Sequence, residues 1–100
     1  MDLQLAGKTA VVTGASQGIG FAVARALARE GVAVALCART AARVSAAAES
    51  IGGEFGVRAL GVAADMTAPA DIDRLVRAIE ESFGGVDILI DNAGAGSEET

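Results

Sequence analysis

The stretch Thr13-Gly14-Ala15-Ser16-Gln17-Gly18-Ile19-Gly20 constrains the fold more than any other part of the sequence, because it carries a strand signal into a helix signal through three glycines. Thr9 to Thr13 is a short β-branched run, the pattern of a strand buried on both faces. From about Gly18 to Glu30 the spacing predicts a helix, with Ile19, Val23 and Leu27 on one face and Gly31 just past its end. Between the two, Gly14 permits a tight turn, Gly18 lets the backbone approach a diphosphate, and Gly20 lets the helix lie close on a sheet. A turn of this kind offers unpaired N–H groups and the positive end of the helix dipole to an anion. Glycine turns also close purely structural loops, so the reading depends on the surrounding elements. The spacing is G-x-x-x-G-x-G rather than G-x-G-x-x-G, and no Gly-Lys-Ser/Thr follows that would make it a Walker A loop.

The elements that follow supply the context. Ala33 to Cys37 reads as a second buried strand, after which Thr40 can cap a helix with Val44, Ala47 and Ile51 on its apolar face, ended by Gly52, Gly53 and Gly56. Val57 to Ala63 reads as a third strand. Thr67 can cap a third helix, with Ile72, Leu75, Val76, Ile79 and Phe83 at helical spacing and Gly84 and Gly85 as its stop. Val86 to Ile90 is the fourth strand and leads into Asp91-Asn92-Ala93-Gly94. The order βαβαβαβ predicts an α/β fold, a Rossmann-type doubly wound parallel sheet of four strands in order 3-2-1-4 with three helices. Ligands of such sheets settle at the carboxyl ends of the strands, so function should lie in the loops after Thr13, Cys37, Ala63 and Ile90.

Composition agrees and excludes several other functions. Apolar residues make up 52% of the hundred and aromatics only 3%, so the core must be built from small aliphatic side chains around 13 glycines. The net charge of -5, with eight basic residues scattered, gives no footprint for nucleic acid or an anionic membrane. Histidine is absent and Cys37 is the sole cysteine, which leaves neither an internal disulfide nor an ordinary zinc site. Cys37 reads as an inert core thiol. No signal-peptide pattern and no apolar run of spanning length is present, and a soluble, cytoplasmic protein is expected.

With its glycine block, Asp65 after the third strand and Asp91-Asn92-Ala93-Gly94 after the fourth, the sequence resembles the N-terminal half of a short-chain dehydrogenase/reductase, over essentially all of its length. The resemblance implies that residues 1–100 are an incomplete NAD(P)-binding Rossmann domain, with Gly14, Ser16, Gln17, Gly18, Ile19 and Gly20 along the diphosphate. Ser16 and Gln17 can each add hydrogen bonds to phosphate or serve only the turn. The family's adenine position falls on Asp65, whose carboxylate can accept from an exocyclic amine; a capping role beside Thr67 is the alternative. Met66 would add its backbone N–H or thioether. Asn92, Ala93 and Gly94 match the family's Asn-Asn-Ala-Gly motif beside the adenosine. Asp91 departs from that motif's first Asn and puts one strand-tying hydrogen bond in doubt, since a carboxylate cannot donate.

Cofactor choice turns on the end of the second strand, where an NAD enzyme places an acid for the ribose hydroxyls. That position corresponds to Ala38; no Asp or Glu occurs between Gly31 and Ala48, and Arg39 and Arg43 stand there instead. A guanidinium can pair in fork geometry with a 2′-phosphate, so NADP(H) is expected over NAD(H). The alternative is that both arginines simply solvate the start of the second helix.

By resemblance the activity is hydride transfer between nicotinamide and a carbonyl or alcohol, with a small-molecule substrate and homo-oligomerisation expected by family analogy. The tyrosine and paired lysine that carry proton transfer in this family have no counterpart here: the chain has no Tyr, and its one lysine, Lys8, precedes the first strand. Catalytic residues are therefore expected outside these hundred. Two readings follow, the cofactor-binding half of an oxidoreductase, or a non-catalytic dinucleotide-binding module or truncated product. The first is preferred, because the fourth strand would otherwise be a bare edge and the nicotinamide would lack a pocket.

Overall fold

The computed structural model describes residues 5–92. In chain order the elements are β1 (Thr9–Thr13), α1 (Gly18–Arg29), β2 (Ala33–Ala38), α2 (Ala41–Phe55), β3 (Ala59–Ala63), α3 (Pro69–Phe83) and β4 (Ile88–Ile90). The strands form one parallel sheet in the order β3-β2-β1-β4, as the alternating pattern predicts. Its register pairs Thr9 with Ala33 and Thr13 with Cys37, Ala10 with Ile88, and Ala38 with Ala63.

Strand alternation sorts the core onto two faces. Ala10, Val12, Val34 and Leu36 pack against α1 and α2 through Ala24, Ala28, Val44 and Ile51, while Val11, Ala35, Cys37 and Val62 meet Leu75 and Ile79 of α3. The central strands are buried on both sides, which is why β1 and β2 read as continuous apolar runs. On the first face Arg25 of α1 reaches Glu54 of α2 at 2.6 Å and lies 5.5 Å from the centre of the Phe55 ring. As an exposed pair it adds at most about 1 kcal/mol.

Several local expectations are corrected. The buried stripe of α1 is Gly20, Ala24 and Ala28, one residue on from the expected Ile19, Val23 and Leu27; Ile19 is 68% exposed. Small residues win this face because they let the helix axis approach the sheet, and the larger side chains are pushed to its flanks. Thr40 does occupy the N-cap of α2 but makes no side-chain cap bond. Gly52 and Gly53 lie inside α2, which ends only at Gly56, where φ is 69° and the N–H donates to Gly52 O. Thr67 does not cap α3: Ala68 holds that position, and Pro69 starts the helix, its missing N–H being one the first turn would leave unpaired. Val76 is 47% exposed rather than core. β2 runs one residue further, to Ala38, while β3 and β4 begin two residues later than the pattern suggests. At the start of β4, Asp87 takes the place of ladder pairing, its N–H donating to Thr9 O and its carboxylate accepting from Thr9 N at 2.9 Å.

Candidate functional site

The carboxyl ends of all four strands open on one rim of the sheet, and winding reverses there between β1 and β4. After Thr13 the chain turns at Gly14, with φ of 61°, and enters α1 at Gly18, with φ of 65°. Both are left-handed conformations that a side chain would strain. Ala15, fully buried, pins the loop to β2 by donating its N–H to Cys37 O at 3.2 Å. Gln17 is extended and exposed at the N-cap of α1, and makes no side-chain cap bond. No acidic residue stands in the first turn of α1, so the positive end of its dipole is not offset there. The Ser16 hydroxyl is buried and has no hydrogen-bond partner among the described residues.

Gly20 has no room for a side chain. A Cβ there would sit on the Gly14 carbonyl oxygen and lie 2.9 Å from Asn92 Nδ2. The crowding has a cause, since Asn92 Nδ2 donates to that same Gly14 oxygen at 3.2 Å. Asn92 is also held by its backbone N–H, which donates to Thr13 Oγ1 at 2.8 Å. The single Thr13 hydroxyl proton goes to Asp91 Oδ1 at 2.9 Å. The link between β1 and β4 that Asp91 put in doubt is therefore made with the roles reversed, the threonine donating and the carboxylate accepting. Thr13 is the one buried polar residue of the described core, and sequence reading used it only as a strand end. A hydroxyl at the last strand position before the glycine turn was the available signal.

At the other side of the rim, Ala64 N donates to Ala38 O at 2.9 Å, so the next residue on each strand, Arg39 and Asp65, leaves the sheet side by side. Arg39 and Arg43 are exposed. Asp65 Oδ1 accepts from Thr67 Oγ1 at 2.7 Å and from Thr67 N at 2.9 Å. These bonds, the hydroxyl's first and the backbone's second, hold the Asp65 carboxyl below its ordinary pKa; the Arg39 charge helps, and slight desolvation opposes. Asp65 thus closes a turn with Thr67 rather than capping α3, whose N-cap is Ala68. Met66 is half-buried, its sulfur 3.6 Å from Cys37 Sγ, and Cys37 is buried in the core. Of the expected site residues, the fold brings Gly14, Ser16, Gln17, Gly18, Ile19, Gly20 and Asn92 to one half of the rim and Arg39, Arg43, Asp65 and Met66 to the other. Ala93 and Gly94 lie outside the described residues.

Among the described residues no His, Cys, Asp and Glu cluster could hold a metal ion, and no helix is long and apolar enough to cross a membrane. What the rim offers instead is a glycine turn and helix N-terminus after β1, with a cation after β2 and a carboxylate after β3.

The sequence model of a family described as short chain dehydrogenase matches residues 8–100. A 3-oxoacyl-acyl-carrier-protein reductase, FabG of Aquifex aeolicus, is 37% identical over 94 residues, covering 94% of this chain and 38% of that protein. The crystal structure of L-sorbose reductase from Gluconobacter frateurii, complexed with NADPH and L-sorbose, superposes with a TM-score of 0.92 at 49% identity, over 100% of this chain and 38% of that one. An NAD+-bound xylitol dehydrogenase superposes with a TM-score of 0.81 at 35% identity, over 86% of this chain and 33% of that one. The chain thus spans 38% of the length of the reductase FabG and of the sorbose reductase.

Proposed function

The chain belongs to the short-chain dehydrogenase family, and on that premise we propose that it supplies the NADP(H)-binding half of an oxidoreductase acting on a small carbonyl or alcohol. Nicotinamide, when bound, supplies or accepts the hydride. The residues of this chain bind and orient. Gly14, Gly18 and Gly20 bring backbone donors at the head of α1 to the diphosphate, with Ser16, Gln17 and Ile19 along the same bend. Asp65 and Met66 face adenine. Asn92 fixes the turn against β4, and Ala93 and Gly94 complete the sequence motif assigned to the adenosine. Arg39 takes the 2′-phosphate, and Arg43, one turn into α2, supports it. No Tyr and no lysine beyond Lys8 occur in these hundred residues, so the family's proton-transfer step belongs to no group here.

The observation that carries the reading is the Ser16 hydroxyl, buried inside a glycine turn at the rim with no hydrogen-bond partner among the described residues. A buried hydroxyl costs about 1–3 kcal/mol when unpaired, and a phosphate oxygen would satisfy it. The crowding of Gly20 on Gly14 supports the same fit, since it presses the helix tip into the bend.

Phosphate preference rests on Arg39 and on the lack of any acid from Gly31 to Ala48. Since one structural neighbour is NAD+-bound and another holds NADPH, titration of the full chain with both cofactors is the deciding experiment. NADPH should bind tighter than NADH, and Arg39→Asp should remove roughly tenfold or more of that difference, the loss of one charge-assisted contact of about 1.5–3 kcal/mol. Equal affinities before and after the substitution would retire the 2′-phosphate assignment.

A further inference from the structure

We propose that Asp71 and Arg74 are positioning residues for the adenine end of the site, acting through a hydrogen-bonded brace that fixes Asp65; this rests on the placement of adenine at Asp65 given above. The brace starts on the sheet. Arg74 Nη2 donates to Ala63 O, the last carbonyl of β3, at 2.6 Å, and the same nitrogen lies 3.3 Å from Asp71 Oδ1. The other oxygen, Asp71 Oδ2, accepts the backbone N–H of Asp65 at 2.8 Å. Ala68 N donates to Asp65 O at 2.9 Å.

Consequently Asp65 is held by its N–H, its carbonyl and its carboxylate at once. Both of the Thr67 hydrogen bonds into the carboxylate end on Oδ1. Asp71 sits in the first turn of α3, where a carboxylate is also favoured by the helix dipole. Its bond to Asp65 therefore ties the binding loop to a rigid helix rather than to another loop. Without it Asp65 itself would keep only the local bonds with Thr67 and Ala68, which fix the shape of the turn more than its position on the rim. Because Ala64 is bonded to Ala38, the brace also sets the distance from Asp65 to Arg39 across the adenosine.

The test compares the two halves of the cofactor on the full chain. Adenosine 2′,5′-bisphosphate is titrated by calorimetry and reduced nicotinamide mononucleotide by ligand-observed NMR. Asp71→Ala should weaken the bisphosphate roughly three- to tenfold, the effect of one lost hydrogen bond, and leave the mononucleotide unchanged. Asp71→Asn keeps a carbonyl oxygen for the Asp65 N–H and should restore most of the affinity. Arg74→Ala should reproduce the selective loss more weakly. Since Asp71 acts through Asp65, the Asp65→Ala/Asp71→Ala double variant should bind no worse than Asp65→Ala alone. Wild-type affinity in Asp71→Ala, no rescue by Asn, or additive losses would overturn the brace while leaving the cofactor reading intact. A wild-type chain that binds neither NADPH nor the bisphosphate would overturn both, and shows itself before any variant is made.

Discussion

Replacing Gly20 by alanine asks a helix to accept its best residue at a place where the fold has no space for it. Alone, the exchange inside α1 would stabilise by about 0.5–1 kcal/mol through backbone entropy. Against this, the new methyl meets the Gly14 carbonyl, whose carbon would be 2.9 Å away, and backbone cannot rotate aside. Overpacking of this kind costs about 1–3 kcal/mol. The Asn92 Nδ2 bond to Gly14 O, already 3.2 Å long, should break as α1 is pushed outward, adding about 1 kcal/mol. The net is about 2 kcal/mol of destabilisation, roughly a thirtyfold shift in the folding equilibrium. Gly53→Ala is the matched control, because that glycine is exposed near the end of α2 with nothing within 4 Å of its Cβ position, and it should stabilise by about 0.5 kcal/mol. Urea unfolding of the full chain reads both, as midpoints moving in opposite directions at unchanged slope. Two substitutions moving stability the same way, or a Gly20→Ala protein that binds NADPH as the parent does, would refute the idea that this contact shapes the bend.

Other expectations follow from the same contacts. Thr13→Val removes the donor to Asp91 and the acceptor for the Asn92 N–H, and should cost about 1–3 kcal/mol in chemical denaturation, with the Asn92 amide losing hydrogen-exchange protection. Gly61→Ala puts a methyl 2.7 Å from Val44 O and 3.2 Å from Ser45 Cα, so α2 must lift from β3; a loss of about 1–3 kcal/mol is expected, with the outward-facing Gly53→Ala again the control. The Asp65 carboxyl should titrate below an ordinary aspartate, chiefly through Thr67. A depressed folded-state value means that its stabilisation is complete above the unfolded-state pKa and is lost as pH falls through the folded one. Carbon-detected NMR of the Asp65 carboxyl checks this: Thr67→Ala should raise the midpoint, and an unshifted midpoint in the parent would contradict the turn.

Element order and strand order were legible because each signal is local, a β-branched run, a 3.6-residue spacing, or a glycine stop. The glycine block and Arg39 could likewise be assigned to the rim before any coordinates. The glycine stops at Gly56 and Gly84 and the N-cap position of Thr40 are legible in the sequence, but the side-chain cap bonds are not. Thr40 and Thr67 have the right side chains, but whether a hydroxyl turns inward depends on the approaching strand, and Thr67 is drawn instead to Asp65. The phase of α1 differs by one residue because the large apolar side chains mark Ile19, Val23 and Leu27, whereas close packing on the sheet selects Gly20, Ala24 and Ala28. The roles of Thr13, Asp71 and Arg74 are not legible in the sequence, because their partners are fixed by strand adjacency or by a loop's path, and neither is written in residue spacing.

The pairing of β1 with β4 has a consequence for how the molecule comes into being. Thr13 and Asn92 are 79 residues apart, whereas β1 and β2 join positions as near as Thr9 and Ala33. Closing the longer chain loop costs on the order of 1 kcal/mol more entropy, so this seam should form after β1–β2 in folding and open early in unfolding. Half of the rim is therefore assembled last. A nucleotide that bridges the seam would act as a late fastener, slowing the first opening event more than it speeds the initial collapse.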